Sequence, residues 1–494
     1  MSGPVEIFIR CWVEAGQWAP SERRILPKAV PSIDAAVQAA LKNDSPELSG
    51  KELDRILLFA GSDRTARRVT TLQIMRCIDE LFQNIHPRTI KLAPALTARL
   101  STGKLPEWLR DARDHRRREG VYGATADRYL IPRGPLSRRP RSEHDSFADS
   151  LADRFAYLSV VPYVVQQEDR RIIVKMRVVN SDALQGVPPG LRESGSEVVC
   201  AVPVAETRAD LEFTQREVDG NAFVLYGPST AIQPGKRLID AIDAAAKTAN
   251  LDIAVAPEFV VPSAAVEQIL DILPQLGRSL CRLLVAGSGN AANEASEQPW
   301  NEAVALNGIG ANIWRQRKVW PASIDPNRAI EFGLSLSGTG NLFEDNSSGD
   351  SIEIVDIDSI GRCIILICQD FESSPMASEL VRRWQPDWVF VPIMDRGLAV
   401  GGWFHQRAMA LGRNAHTRFV AVSSVGLPRA GAAGALPCLL ISCGINSDGV
   451  TPGRAVVVKT AIDGTSPGYA IVDFSTQVWD QTALGVVVAK AAPK

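Results

Sequence analysis

No apolar run in this sequence approaches the roughly 20 residues a helix needs to cross a bilayer, so no membrane span and no membrane partner are expected. The first residues, MSGPVEIFIRCW, lack the basic segment and apolar core of a secretory leader, which makes the cytoplasm the expected location. None of the eight cysteines, at 11, 77, 200, 281, 363, 368, 438 and 443, belongs to a CxxC pair. Most stand inside apolar runs, a pattern that suits reduced thiols better than a disulfide framework and argues against zinc. Neither sign of charge dominates: the formal net charge is −2, too small for a general attraction to nucleic acid or an acidic surface. No metal or cofactor site is expected.

What is present is an ordinary globular composition, 45% hydrophobic and 22% charged, over 494 residues. That length predicts two domains, and the two halves read differently. Residues 1–12 have the look of a short strand. From Ile33 to about Arg118 the stretches IDAAVQAALKN, GKELDRILLFA and TARRVTTLQIMRCIDELFQNI carry apolar residues at helical spacing, and Thr65 stands where a helix cap is expected. Arg110 to Ser142 holds ten arginines against four acids. Without interleaved aromatics this reads as a solvated helix end and linker, and nucleic acid is not an expected partner. Strand-like runs follow at 156–165, 171–179 and 197–205. The polar ETRADLEFTQREVDGN then suggests a linker, so the expected organisation is a mainly helical accessory domain at 1–205, a linker at 206–221 and a second domain at 222–494.

After residue 221 strands and helices alternate, with hairpins between them, which predicts a mixed sheet or two packed sheets with outer helices. Within this region GSGNAA at Gly287–Ala292 matches a dinucleotide fingerprint, but NEASEQPWNE after it has no apolar helical period to present a helix N-terminus to a pyrophosphate. GPSTAIQPGK at Gly227–Lys236 has the wrong order and spacing for a phosphate-binding loop.

RCIILICQDF, from Arg362 to Phe371, is more informative, because its apolar run ends at Cys368 and turns polar at once. Glu258 follows the strand-like LDIAVA through a proline, and Lys318 ends the run ANIWRQRK. Strand ends are where side chains of an α/β sheet converge on a ligand. Glutamate, lysine and cysteine at three such ends could supply a proton acceptor, a fixed cation and a thiol nucleophile.

Three blocks here resemble the nitrilase, or carbon–nitrogen hydrolase, superfamily: PEF at Pro257–Phe259, NEAVALNGIGANIWRQRKVWP at Asn301–Pro321 and GRCIILICQDFESSP at Gly361–Pro375. WFHQRAMALGRNAHTRFVAVSSVG at Trp403–Gly426 resembles the family's following helix and strand. The resemblance covers about residues 220–490. It implies a four-layer α-β-β-α sandwich that assembles as a homodimer or larger homo-oligomer. It also implies a Glu258–Lys318–Cys368 triad acting on a small-molecule amide or nitrile, without cofactor. The Gln369 N–H and Lys318 would face the developing oxyanion, and Asp370 would be a supporting or capping carboxylate.

This chain departs from the pattern in places. Trp320 stands where the family commonly has histidine, and Arg413-Asn414 where a Glu-Asn pair is common. Glu331 is the only loose candidate for a second glutamate after the lysine. Gln369-Asp370 after the cysteine resembles the amidase branches more than true nitrilases. An amidase-type hydrolase is therefore the leading expectation. Two others stay open: a nitrilase-like binding or signalling component, an arrangement associated with bacterial defence systems, and a peptidase pairing Cys368 with His405 or His416.

Overall fold

The computed structural model describes residues 3–19, 22, 30–87, 105–134, 151–180, 197–219, 221–334, 341–358, 360–395, 398–412, 417–426, 437–443, 455–459, 468–473 and 486–487. The chain divides into two units, Met1–Val165 with Met176–Val178 and Arg383–Asp387, and Gln166–Lys175 with Val179–Arg382 and Trp388–Lys494.

In the first unit the helices are α1 (Pro4–Gly16), α2 (Pro31–Leu41), α3 (Pro46–Phe59), α4 (Arg64–Phe82) and α5 (Glu107–Glu119). Residues 4–16 are thus helical where a strand was expected. Pro4 sits at the first helical turn, where its missing N–H costs nothing, and Ile7, Phe8, Cys11, Trp12 and Ala15 bury one face at three- and four-residue steps. α4 is capped by Asp63, whose carboxylate accepts the N–H groups of Thr65 and Ala66, so Asp63 and not Thr65 is the cap. A small antiparallel sheet joins β1 (Gly123–Ala124), β2 (Arg128–Pro132) and β3 (Leu158–Pro162).

The core of this unit is aromatic, with Phe8, Trp12 and Phe155 in mutual ring contact. Beneath it Asp79 accepts the N–H groups of Ala156, Tyr157 and Leu158. Burial pushes its carboxyl up to about 6, against the pull of those three donors. Two arginines of the basic stretch, Arg116 and Arg133, are buried rather than solvated, and the Arg133 guanidinium donates to the Phe155 carbonyl. Residues 135–141 of that stretch lie outside the described residues.

The strands that follow are β4 (Val164–Gln167), β5 (Arg170–Val179), β6 (Val198–Ala201), β7 (Leu211–Val218), β8 (Asn221–Pro228), β9 (Ile253–Val255), β10 (Leu283–Ala291), β11 (Trp300–Asn307) and β12 (Asn312–Arg317). They continue as β13 (Ser323–Ile324), β14 (Leu342–Glu344), β15 (Ser351–Ile357), β16 (Gly361–Ile365), β17 (Trp388–Ile393) and β18 (Arg418–Ser423). Last come β19 (Pro437–Cys443), β20 (Ala455–Lys459), β21 (Ala470–Asp473) and β22 (Val486–Val487). The helices of this unit are α6 (Pro234–Ala246), α7 (Ser263–Gln275), α8 (Pro326–Glu331), α9 (Gln369–Glu372), α10 (Met376–Glu379) and α11 (Trp403–Gly412).

Two large sheets form, ordered β12-β11-β10-β9-β6-β21-β22 and β20-β19-β18-β17-β16-β15-β5-β4. Period-two alternation sorts each strand's side chains between two cores. Val199, Ile253 and Val255 of the first sheet share one apolar cluster with Cys363, Ile365 and Phe390 of the second. Ala254, on the opposite face, packs instead with Leu238 and Ile242 of α6 and Val266 and Ile269 of α7. Beyond the second sheet, Phe371 of α9 meets Phe404 of α11 and Phe419. The result is the expected four-layer α-β-β-α sandwich.

Its start differs from expectation. β6 lies inside the first sheet, parallel to β9, so the sandwich begins well before residue 222. The expected linker at 206–221 holds β7, which forms a hairpin with β8. The residues of β7 after Leu211 are almost all exposed, so no apolar period marks the strand. The signal was the turn instead: Asp219-Gly220 is a favoured hairpin pair, and Asp219 has φ 49°. β7 and β8 join β13 and β14 in a separate four-stranded sheet, with β8 and β14 parallel.

Candidate active site

Strands from both large sheets deliver the site residues at their C-terminal ends, β9 and β16 from parallel pairs and β12 from an antiparallel edge. Glu258 follows β9 through Ala256 and Pro257, and neighbouring Phe259 has φ 65°. The loop is clamped by β10, where Ser288 N–H donates to the Pro257 carbonyl and Val261 N–H to the Ser288 carbonyl. A Cβ on Gly287, itself at φ 75°, would stand 2.2 Å from the Pro257 oxygen, so only glycine fits. The GxGxxA match is thereby accounted for: its glycines let β10 pass against the loop that carries Glu258.

The Glu258 carboxylate is fully enclosed. Its Oε1 accepts Asn301 Nδ2 at 3.0 Å and Lys318 Nζ at 2.8 Å, and its Oε2 accepts the Met394 N–H at 3.1 Å. Lys318 leaves the end of β12 and is anchored by its own N–H to the Asn301 carbonyl. Its Nζ also lies 2.7 Å from both carboxylate oxygens of Glu344 on β14. Burial pulls the ammonium down, but the Glu258 and Glu344 carboxylates outweigh it and hold Lys318 well above the ordinary lysine value. Burial pushes Glu344 up to about 7, against the attraction of Lys318 and with the help of Glu258.

Cys368 ends the run that begins in β16 and stands directly before α9. Its backbone, at φ 48° and ψ −104°, lies in a region that residues with a side chain rarely occupy, and its N–H is pinned to the Pro392 carbonyl. Strain of this kind, worth roughly 1–3 kcal/mol, persists only where the surroundings enforce it, and it concentrates at reactive positions. The thiol side chain is half-buried. Burial first, then the Glu258 carboxylate, push it well above its ordinary value, while Lys318 and the Met394 N–H pull it down. That N–H also binds Glu258, so thiol and carboxylate meet at one backbone group. The structure therefore brings Glu258, Lys318 and Cys368 together.

The supporting residues divide. Asp370 is buried at the start of α9, and its carboxylate accepts the N–H groups of Val319 and Trp320, which ties the lysine segment to the cysteine turn. Burial pushes it up to about 7 against those donors and Lys318. Gln369 opens α9 directly after the thiol. Glu331 is the last residue of α8, and its side chain lies outside the described residues; the second glutamate on the lysine is Glu344. The signal for Glu344 was slight, a carboxyl closing the three-residue strand LFE, two residues after apolar Leu342 and on the same face. Trp320 carries the Arg170 guanidinium 4.3 Å above its ring.

Arg413, Asn414 and His416 fall outside the described residues. His405 Nδ1 accepts the Gly401 N–H, and the charged groups acting most strongly on the Cys368 thiol are Glu258, Lys318 and Glu344. Among the described residues no group of three or more His, Cys, Asp or Glu could hold a metal ion, and no helix is long and apolar enough to cross a membrane.

No protein-family model matches the chain, and no curated protein matches it. Among solved structures it is similar to Saccharomyces cerevisiae Nit3, a member of branch 10 of the nitrilase superfamily, at 14% identity and a TM-score of 0.35, over 58% of this chain and 94% of that one. An amidase from Nesterenkonia sp. is similar at 19% identity and a TM-score of 0.35, over 58% of this chain and 93% of its own. The C. elegans NitFhit protein is similar at 12% identity and a TM-score of 0.37, over 58% of this chain and 64% of its own. Likenesses of this size carry nothing about chemistry, which rests on the geometry above.

Proposed function

We propose that the second unit is a thiol hydrolase of the nitrilase type that cleaves a non-peptide C–N bond, an amide in preference to a nitrile. The observation that carries this reading is the meeting of Glu258, Lys318 and Cys368, from three separate strand ends, in one buried cluster. The resemblance of the three sequence blocks to that superfamily supports it.

The thiol rests protonated, so attack needs a base at the moment of reaction. Glu258 takes the Cys368 proton as Sγ bonds to the amide carbon. The Gln369 N–H and the Lys318 ammonium stabilise the oxyanion, a contribution of about 3 kcal/mol per donor. The C–N bond then breaks, the amine leaves with the proton from Glu258, and a thioester remains on Cys368. Water gives a proton to Glu258 and attacks the thioester carbon; the acid departs and the thiol recovers its proton. Glu344 keeps the Lys318 ammonium aimed throughout. The first unit has an accessory role in this reading: its buried carboxylate, Asp79, is committed to backbone donors.

The test is ammonia release by the purified protein from a panel of amides, ureas and nitriles, with intact mass recorded during turnover. An acyl adduct on wild type that disappears in Cys368→Ala is the expected result. Equal hydrolysis by Cys368→Ala would end the proposal.

A further inference from the structure

Tyr226 has a buried hydroxyl with no hydrogen-bond partner among the described residues, and it stands beside the cluster just described. It lies on β8, in the hairpin that the sequence disguised as a linker. β8 runs parallel to β14 with Val224 opposite Glu344, and the Asp345 N–H donates to the Val224 carbonyl at 2.9 Å. Tyr226 is two residues further along, so it shares the buried face of Val224. Its ring packs on Phe259 with centroids 4.9 Å apart, and the Lys318 ammonium sits 5.6 Å from the centre of that same Phe259 ring. The strand is held in place from behind by Asn290, which donates to the Tyr226 carbonyl. Glu344 and Lys318 are the charged groups that act most strongly on the phenol.

A buried hydroxyl without a partner destabilises a fold, and one that a native protein retains calls for a role or for a bound molecule that completes it. The Glu258 carboxylate and the Cys368 thiol also act on the phenol, which places it beside the reacting groups. In the proposed reaction the carbonyl oxygen already has its donors in Lys318 and Gln369. What an amide still presents is its N–H, which needs an acceptor.

We infer that the Tyr226 hydroxyl accepts the N–H of the scissile amide, so that the site selects carboxamides over esters of the same shape. This inference rests on the hydrolase reading and deepens it. Tyr226 is then a substrate-positioning residue supplied by the small sheet, outside the two large sheets that carry Glu258, Lys318 and Cys368.

The test uses two alkylating probes that share a carbonyl and differ at the N–H, iodoacetamide and methyl iodoacetate. Labelling of Cys368 is followed by peptide mass mapping in wild type and Tyr226→Phe, alongside Tm. Tyr226→Phe keeps the ring on Phe259 and removes only the oxygen. The expected result is a fall of about tenfold in the iodoacetamide rate, an unchanged methyl iodoacetate rate, and a Tm that is equal or higher. Unchanged rates with both probes would overturn the inference. So would an equal fall with both, or a lower Tm, since these mark a structural role. Each of those results leaves the hydrolase reading standing, whereas a wild-type Cys368 inert to both probes would overturn that reading itself.

Discussion

Each unit of this chain buries a carboxylate, and the two are bonded alike. Asp79 in the first unit and Glu258 in the second both accept three hydrogen bonds, two on one oxygen and one on the other. A count of satisfied lone pairs does not tell them apart. Asp79 receives all three from consecutive backbone N–H groups of one segment, so its work is to hold that segment. Glu258 receives one from a lysine ammonium and one from a backbone N–H that also faces a strained cysteine. What makes a buried carboxylate reactive is therefore its neighbours, and satisfaction is common to both kinds.

The comparison breaks first at the thiol. Cys368→Ala should lower turnover by at least about 10⁴-fold, because no covalent intermediate can form, and Glu258→Gln should lower it by about 10²–10⁴-fold with the fold intact. Ammonia release and a thermal melt on the same samples decide this. Asp79→Ala should do the reverse, leaving three N–H groups without an acceptor. We expect about 3 kcal/mol or more of lost stability, with activity per folded molecule unchanged. Denaturant unfolding of the variant, paired with active-site titration, would expose any catalytic role for Asp79.

Glu344→Gln is a finer probe, since it keeps the shape and removes a charge from Lys318. It should slow turnover about 10²-fold, while Glu331→Gln should change nothing. An effect at Glu331 equal to that at Glu344 would reverse the assignment of the second glutamate.

Acidity tests the same buried carboxylates through stability. Asp79, at about 6, and Asp370 and Glu344, at about 7, are all raised above their unfolded values. The folded state thus holds protons that the unfolded chain releases, and the stabilising contribution is full below pH 4 and lost as pH rises through the folded values. Each group adds a slope of at most about 1.4 kcal/mol per pH unit, ending near pH 6 for Asp79 and near pH 7 for the other two. Asp79→Asn and Asp370→Asn should flatten their own portions of a stability–pH curve, and a curve unaltered by either would count against these shifts.

The sequence showed some of this plainly. Glu258, Lys318 and Cys368 were legible because each stands at the end of a strand-like run, a one-dimensional mark, and because their blocks resemble one family in order. Glu344 was not, because what defines it is a parallel pairing with β8, a neighbour distant in the chain. Residues 211–218 hid for a different reason. A strand with both faces wet has no apolar rhythm, and its only trace was Asp219-Gly220. The first helix misled by its β-branched and aromatic residues, whose burial in a helix overrides their strand preference.

The cluster also has a history in time. Its hydrogen bonds join residues 26, 60 and 136 positions apart. Bonds of that span form only after the intervening chain has been gathered, and each closure costs entropy that local helices never meet. A refolding chain should recover its helical signal first and its catalytic activity last. The nascent polypeptide thus carries a cysteine without its catalytic partners until the sheets are in register, and competence arrives together with the finished architecture.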